Sequence, residues 1–142
     1  SFMKKVLLSV VVILTLVACV LAHAETPIDT ITEWVNGGIG EGEAITSITL
    51  EDNRLAITVD LSGVDEMYPG YLVDLATDRA SSITDIILEH GDFDAEWDTI
   101  HIEYPKIGYF DLTKADIETN EYDMRYMNVY DADYNSRIVA IG

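Results

Sequence analysis

Residues 71–90 read YLVDLATDRASSITDIILEH and form the longest segment in which apolar residues recur at steps of three and four. Such spacing places the aliphatic side chains on one helical face and the Asp, Ser and Glu side chains on the other. Pro69 and Gly70 interrupt the preceding segment, and Gly91 stands where a left-handed residue often ends a helix. Each large aliphatic side chain contributes roughly 1.5–3 kcal/mol when buried, so we expect a central helix that packs on a sheet.

Segments with a two-residue period lie on both sides of this helix. Residues 45–50 and 55–61 alternate in polarity, and residues 52–53 between them have the composition of a turn. Residues 100–104 and 107–112 repeat the arrangement after the helix. We therefore predict an α+β domain whose antiparallel sheet of about four strands, formed as two hairpins, packs on the central helix.

Shorter elements are predicted at both ends of this core. Thr26-Pro27 has the form of an N-cap followed by a proline, and it predicts a helix that runs to about Val35. The glycines of residues 37–42 predict a flexible connection. Residues 113–116 outline a capping box, and residues 137–141 are a candidate closing strand.

The first part of the chain has the composition of an export signal. Residues 1–2 precede a Met-Lys-Lys start, and we interpret them as non-native. Lys4 and Lys5 form a positive region ahead of the apolar run of residues 6–16. A transmembrane anchor is the alternative, because apolar character continues to Ala22 and approaches the roughly 20 residues that span a bilayer. The small residues at its end and the acidic continuation favour the signal.

Two processing routes fit this signal. The Ala-His-Ala sequence that ends at Ala24 suits a general signal peptidase, which would release a chain that begins at Glu25. The Leu-Val-Ala-Cys sequence that ends at Cys19 instead resembles the bacterial lipobox, in which the cysteine is acylated and becomes the mature N-terminus. We therefore divide the chain into a signal at residues 3–24 and a single acidic domain at residues 25–142. The domain is expected outside the cytoplasm, either secreted or lipid-anchored to the membrane.

The charge of the mature domain restricts its partners. From Glu25 onward the chain carries 26 acidic and six basic residues, a net charge of −20. Such a field repels nucleic acid and anionic lipid, so we expect no nucleic-acid partner and membrane contact only through the signal or a lipid anchor. Cations and basic proteins are the electrostatically favoured ligands. The alternative is that the acidity keeps an exported protein soluble.

Alternating carboxylates suggest a possible calcium site. The densest run follows the central helix and comprises Asp92, Asp94, Glu96 and Asp98. Calcium loops use oxygen ligands at alternate positions, although here Trp97 occupies the place of the glycine that a tight loop requires. A second run around Asp131 and Asp133 lacks the final glutamate. Calcium is the one cofactor these patterns suggest, and solvated acidic loops are the alternative interpretation.

A tyrosine series gives a candidate binding surface. It has a four-residue spacing and comprises Tyr122, Tyr126, Tyr130 and Tyr134. This spacing suits a helix face and a strand face equally. Tyrosines in such an array stack on sugar rings or form a protein contact surface, and half-buried packing is the alternative.

Catalytic signatures are weaker than these binding features. The sequence contains no nucleophile elbow and no glycine-rich phosphate loop. We expect an exported bacterial domain that acts as a non-catalytic binding or interaction module at the cell envelope, with a protein or glycan partner. One alternative is a small extracytoplasmic hydrolase that uses acidic residues near His90 and His101. Another is an acidic inhibitory module that docks on a basic partner.

In an uncleaved chain, we expect residues 4–22 to mediate oligomer contacts.

Overall fold

A computed structural model describes residues 24–141 of the chain. The predicted signal, the lipidation candidate Cys19 and the oligomer contacts expected of residues 4–22 lie outside the described residues. Within them the helices and strands are, in order, α1 (Ile28–Asn36), β1 (Ala44–Glu51), β2 (Arg54–Asp60), α2 (Tyr71–Glu89), β3 (Thr99–Tyr104), β4 (Gly108–Thr113), β5 (Ile117–Thr119), β6 (Arg125–Met127) and β7 (Val139–Ala140). None of the helices between residues 24 and 141 combines the length and the apolar character that a membrane span needs.

Five strands form one mixed sheet in the order β1-β2-β3-β4-β7. The α+β class is confirmed, but the prediction of a purely antiparallel, four-stranded sheet is wrong, because β2 and β3 run parallel. The chain leaves β2, passes through α2 and returns into β3. Neighbouring strands that are joined by such a crossover run in the same direction. The predicted hairpin of β1 and β2 is present, and its turn residues Asp52 and Asn53 have φ angles of 52° and 59°.

The predicted central helix is confirmed as α2, and Ile83 at its middle is completely buried. The helix ends at Glu89, however, and Gly91 instead begins a short 3-10 turn without a left-handed φ angle. Gly70, immediately before the helix, is left-handed instead, with a φ of 86°. Leu72 is only half-buried, because it lies at the N-terminal edge of the packed face.

More of the surface of α2 is buried than the apolar face predicted from the sequence. Thr77, Thr84 and Leu88 lie outside that face and are buried as well. A second ribbon of β5 and β6 lies against this side of the helix, and Arg125 of β6 donates a hydrogen bond to the Leu88 carbonyl oxygen at 2.7 Å. The hydroxyls of Thr77 and Ser136 are also hydrogen-bonded to each other. The sheet therefore covers one side of α2 and the C-terminal segment covers another.

The glycine-rich segment after α1 packs closely on α2, which differs from the flexible connection that we predicted. A Cβ atom on Gly38 would lie 3.2 Å from the Cα of Ile83. A Cβ atom on Gly40 would lie 2.6 Å from both Arg79 Nη2 and Glu43 Oε2. A side chain at Gly38 would press on the backbone of α2, whereas one at Gly40 would displace the ends of the Arg79 and Glu43 side chains.

Candidate binding site

The acidic run after α2 folds into the 3-10 turn Gly91–Glu96, where two of its carboxylates bind other parts of the protein. Asp94 Oδ2 lies 2.7 Å from Arg125 Nη1. Glu96 accepts hydrogen bonds from the backbone N–H and the hydroxyl of Thr26, at 2.5 and 2.6 Å. The other two members of the run are exposed. Among residues 24–141, no group of three or more His, Cys, Asp or Glu side chains is arranged to hold a metal ion, and the calcium site stays a prediction.

The bond to Glu96 also changes the start of α1. Thr26 was predicted to cap this helix, but the N-cap residue is Pro27 and no side chain caps it. The hydroxyl of Thr26 is used by Glu96 instead. Ala24 and Glu25, the candidate cleavage point, are exposed directly before this anchored residue.

The structure does not bring the two histidines together. His90 follows α2 and stacks on Trp34 of α1, with ring centroids 3.7 Å apart. His101 alternates with the buried residues of β3 and therefore lies on the face of the sheet that points away from the helices. There its ring nitrogens lie 2.7 Å from Asp111 Oδ1 and 3.4 Å from Glu103 Oε1. The two histidines therefore lie in different surroundings, and the hydrolase that would use acidic residues near them stays a prediction.

The four tyrosines belong to no single helix or strand. Tyr122 lies at the tip of the β5-β6 hairpin and is 74% exposed, whereas Tyr126 lies on β6 and is half-buried. Tyr130 and Tyr134 lie at a tight turn that a bridge between Tyr130 and Ser136 closes. Tyr134 is 88% exposed and has a left-handed φ of 62°. The series therefore follows the C-terminal segment as it passes beside α2.

The turn that carries Tyr130 and Tyr134 forms one cavity with the N-terminal half of α2. This cavity has a volume of about 280 Å³ and includes Asp74 and Asp78 of the helix. The hydroxyl of Tyr68 donates a hydrogen bond to Asp74 Oδ2 at 2.8 Å, and this bond raises the pKa of Tyr68. We call this space the first cavity, in which phenol rings and carboxylates lie side by side.

The β5-β6 ribbon forms a second cavity with the C-terminal half of α2. It has a volume of about 650 Å³, and its lining includes Met124 and Tyr126 of the ribbon and Asp85 and Glu89 of the helix. Partial burial raises the pKa of Asp85, and the nearby charge of Glu89 adds to this effect. Asp85 is nevertheless an exposed residue, so water still reaches its carboxylate.

The two cavities share one face of α2. Their helical carboxylates are four, seven and four residues apart, which are spacings that keep side chains on the same side of a helix. This row is about 22 Å long at 1.5 Å per residue, and the tyrosines run along it in the opposite direction. We name the two cavities together the α2 groove, with the residues Asp74, Asp78, Asp85, Glu89, Tyr126, Tyr130 and Tyr134.

The groove carboxylates are not neutralised by basic side chains. Three of the six basic residues form ion pairs with other acids, namely Arg79 with Glu43, Arg125 with Asp94 and Arg137 with Asp116. Lys114 lies 4.3 Å above the Trp97 ring. Within residues 24–141, none of the four groove carboxylates forms an ion pair with lysine or arginine. Arg125, which pairs with Asp94, also lines the second cavity, where Asp85, Glu89 and Asp123 leave a net negative charge.

Sequence reasoning identified the tyrosines but did not connect them to α2. The available signal was that two pairs of helical carboxylates, 74/78 and 85/89, have the same four-residue spacing as the tyrosines of the C-terminal segment. Comparisons with protein-family models, with curated proteins and with solved structures found no match to this chain.

Proposed function

We propose that residues 25–142 form a non-catalytic binding module that acts at the cell envelope, outside the cytoplasm, with the α2 groove as its binding surface. The observation that carries this proposal is the row of helical carboxylates, without ion-pair partners in residues 24–141, beside the C-terminal tyrosines. Tyrosine is enriched at protein contact surfaces because its ring buries a large area while its hydroxyl stays hydrogen-bonded.

The backbone of Tyr134 supports this proposal. Its left-handed φ belongs to a turn in which the Tyr134 N–H donates to the Asp131 carbonyl oxygen at 3.0 Å and the Asp131 carboxylate accepts from the N–H of Asn135. This hydrogen-bonded turn holds an 88% exposed aromatic ring at the first cavity, where a partner can contact it.

Retention on the cell envelope tests the groove. We expect the double variant Tyr130→Ser/Tyr134→Ser to bind an isolated envelope fraction at least about tenfold less than the wild type, because hot-spot tyrosines contribute about 2 kcal/mol or more. Co-sedimentation of the labelled, processed protein with the envelope fraction measures this. Tyr122→Ser is the matched control, since Tyr122 is also exposed but lines neither cavity. Equal retention of the wild type and the double variant would contradict the proposal.

Export is tested at the mature N-terminus. The positive and apolar segments before Ala24 support export, and we expect mass spectrometry to find a chain that begins either at Glu25 or at an acylated Cys19. The substitution Cys19→Ala separates the two routes, because it would release a lipid-anchored protein from the membrane and leave a cleaved protein unchanged. An unprocessed chain in the cytoplasm would contradict the export proposal.

A further inference from the structure

We infer that the occupant of the α2 groove is an extended basic segment of a protein, which places one lysine or arginine side chain in each of the two cavities. This inference rests on the proposed function, because it requires the groove to be the binding surface. It identifies the chemistry of the partner, which the proposed function leaves open.

The first argument is charge complementarity. Each cavity contains two helical carboxylates that form no ion pair in the described residues, Asp74 and Asp78 in the first and Asp85 and Glu89 in the second. Arg125 also lines the second cavity, but it pairs with Asp94, and Asp123 adds a third carboxylate there. A neutral sugar would displace water from these carboxylates without supplying a charge partner. A lysine or arginine side chain supplies that partner, and the net charge of the domain attracts it from a distance.

The second argument is the position of the phenol rings. Tyr130 and Tyr134 line the first cavity, and Tyr126 lines the second. Ammonium and guanidinium groups bind favourably over the face of an aromatic ring, and the alkyl stems of both side chains cover apolar surface. Met124 adds an adaptable apolar wall to the second cavity. Both cavities thus offer a carboxylate for the charge and an apolar surface for the stem.

The third argument is the distance between the cavities. Asp78 and Asp85 are seven residues apart in α2, or about 10.5 Å along the helix axis. In an extended peptide, residues that are four positions apart point to the same side and lie about 13 Å apart, a span that flexible side chains adjust. Adjacent residues point to opposite sides. The groove therefore favours basic residues that are about four positions apart over adjacent ones.

Two peptides of equal composition test this spacing. Both are N-acetylated and C-amidated chains of glycine and serine with two arginines, which are four positions apart in one peptide and adjacent in the other. We expect the spaced peptide to bind the processed protein at least about tenfold more tightly, or by about 1.4 kcal/mol. Isothermal titration at an ionic strength of about 0.15 M measures this difference, since exposed charges beyond roughly 8 Å are then screened.

Matched charge variants locate the site. The pair Asp78→Asn/Asp85→Asn removes one carboxylate from each cavity, and we expect it to weaken binding of the spaced peptide at least about tenfold. The control pair Glu33→Gln/Glu41→Gln removes the same charge from two exposed positions outside the groove, and it should leave the affinity unchanged.

Melting curves of Asp78→Asn/Asp85→Asn and of Asp85→Asn alone distinguish a loss of binding from a loss of folding. Desolvation raises the pKa of Asp85 in the folded protein, so its ionised form destabilises the fold at neutral pH, although only slightly because the residue is exposed. Asp85 shares its cavity with Glu89, Asp123 and Arg125. We therefore expect Asp85→Asn to raise the melting temperature at pH 7. This gain should disappear as the pH falls below the ordinary aspartate value of 3.8, where the folded and unfolded carboxyls are both protonated.

Three results would overturn the inference. Equal binding of the two peptides, or equal weakening by the groove and control pairs, would show that only the overall charge attracts them. Absence of peptide binding, together with envelope retention that still requires Tyr130 and Tyr134, would reject a basic partner and keep the binding function. Loss of neither property in the groove variants would reject both proposals.

Discussion

Replacing Ile83 with aspartate is expected to abolish the cooperative unfolding transition of the domain. Ile83 has no exposed surface, and both the sheet core and the backbone of Gly38 pack around it. An unpaired charge at this position costs several kcal/mol in addition to the lost apolar contacts. A domain of this size has only about 5–15 kcal/mol of stability, so we expect no thermal transition by circular dichroism.

The matched control for this change is Ile28→Asp. Ile28 lies in the first turn of α1 and is 39% exposed, so the same substitution there leaves the new charge in water and near the positive end of the helix dipole. We expect a melting curve close to that of the wild type. If Ile83→Asp also kept a wild-type transition, α2 would not be the centre of the core.

The second large effect is expected at the ion pair between Glu43 and Arg79. The side chain of Glu43 is 1% exposed, and its two oxygens lie 2.7 and 2.9 Å from Arg79 Nε. One of them also accepts the backbone N–H of Gly40 at 2.7 Å. The hydroxyl of Tyr104 is buried nearby without a hydrogen-bond partner among the described residues, and burial raises its pKa. Water therefore has little access to this carboxylate.

We expect Glu43→Leu to lower the free energy of unfolding by an amount near the lower end of roughly 3–5 kcal/mol. The substitution leaves the Arg79 guanidinium and the Gly40 N–H without their acceptor. The lower end applies because Arg79 is 30% exposed and regains some hydration. Urea unfolding, followed by fluorescence of the two tryptophans, measures the change.

The double variant Glu43→Leu/Arg79→Met distinguishes the stability lost with the ion pair from the stability lost because the Arg79 charge has no partner. Replacing both partners with apolar residues is often nearly neutral in other proteins, so the double variant should recover most of the stability. The remaining deficit is expected from the Gly40 N–H, which has no replacement acceptor. A double variant that is no more stable than Glu43→Leu would show that the unpaired guanidinium is not the cause.

Local patterns in the sequence determined the elements nearest to the core. The spacing of apolar residues over 71–90 predicted α2, which spans Tyr71–Glu89, and the pair Asp52 and Asn53 predicted the turn between β1 and β2. Thr113 and Asp116 likewise form the predicted capping box, although the turn that they cap is a 3-10 helix. These elements are predictable because their hydrogen bonds and side-chain periods involve residues only a few positions apart.

Only the tertiary structure decided the relative direction of the strands and the binding partners of the acidic residues. The parallel pair of β2 and β3 depends on where α2 carries the chain, not on the pattern of either strand. Glu96 and Asp94 belong to the same acidic run, yet their partners Thr26 and Arg125 are 70 and 31 residues away. Sequence spacing could not identify either partner, because both lie far from the acidic run along the chain.

The α2 groove also depends on contacts between residues that are distant in the sequence. The sequence by itself contained its two halves, a row of carboxylates on one helix face and a row of tyrosines near the C-terminus. Only the path of the C-terminal segment over α2 brings Tyr134 into a cavity with Asp74, which is 60 residues earlier in the chain. Such contacts between distant residues form only when the whole core packs, since closing a long loop costs entropy that no local interaction offsets.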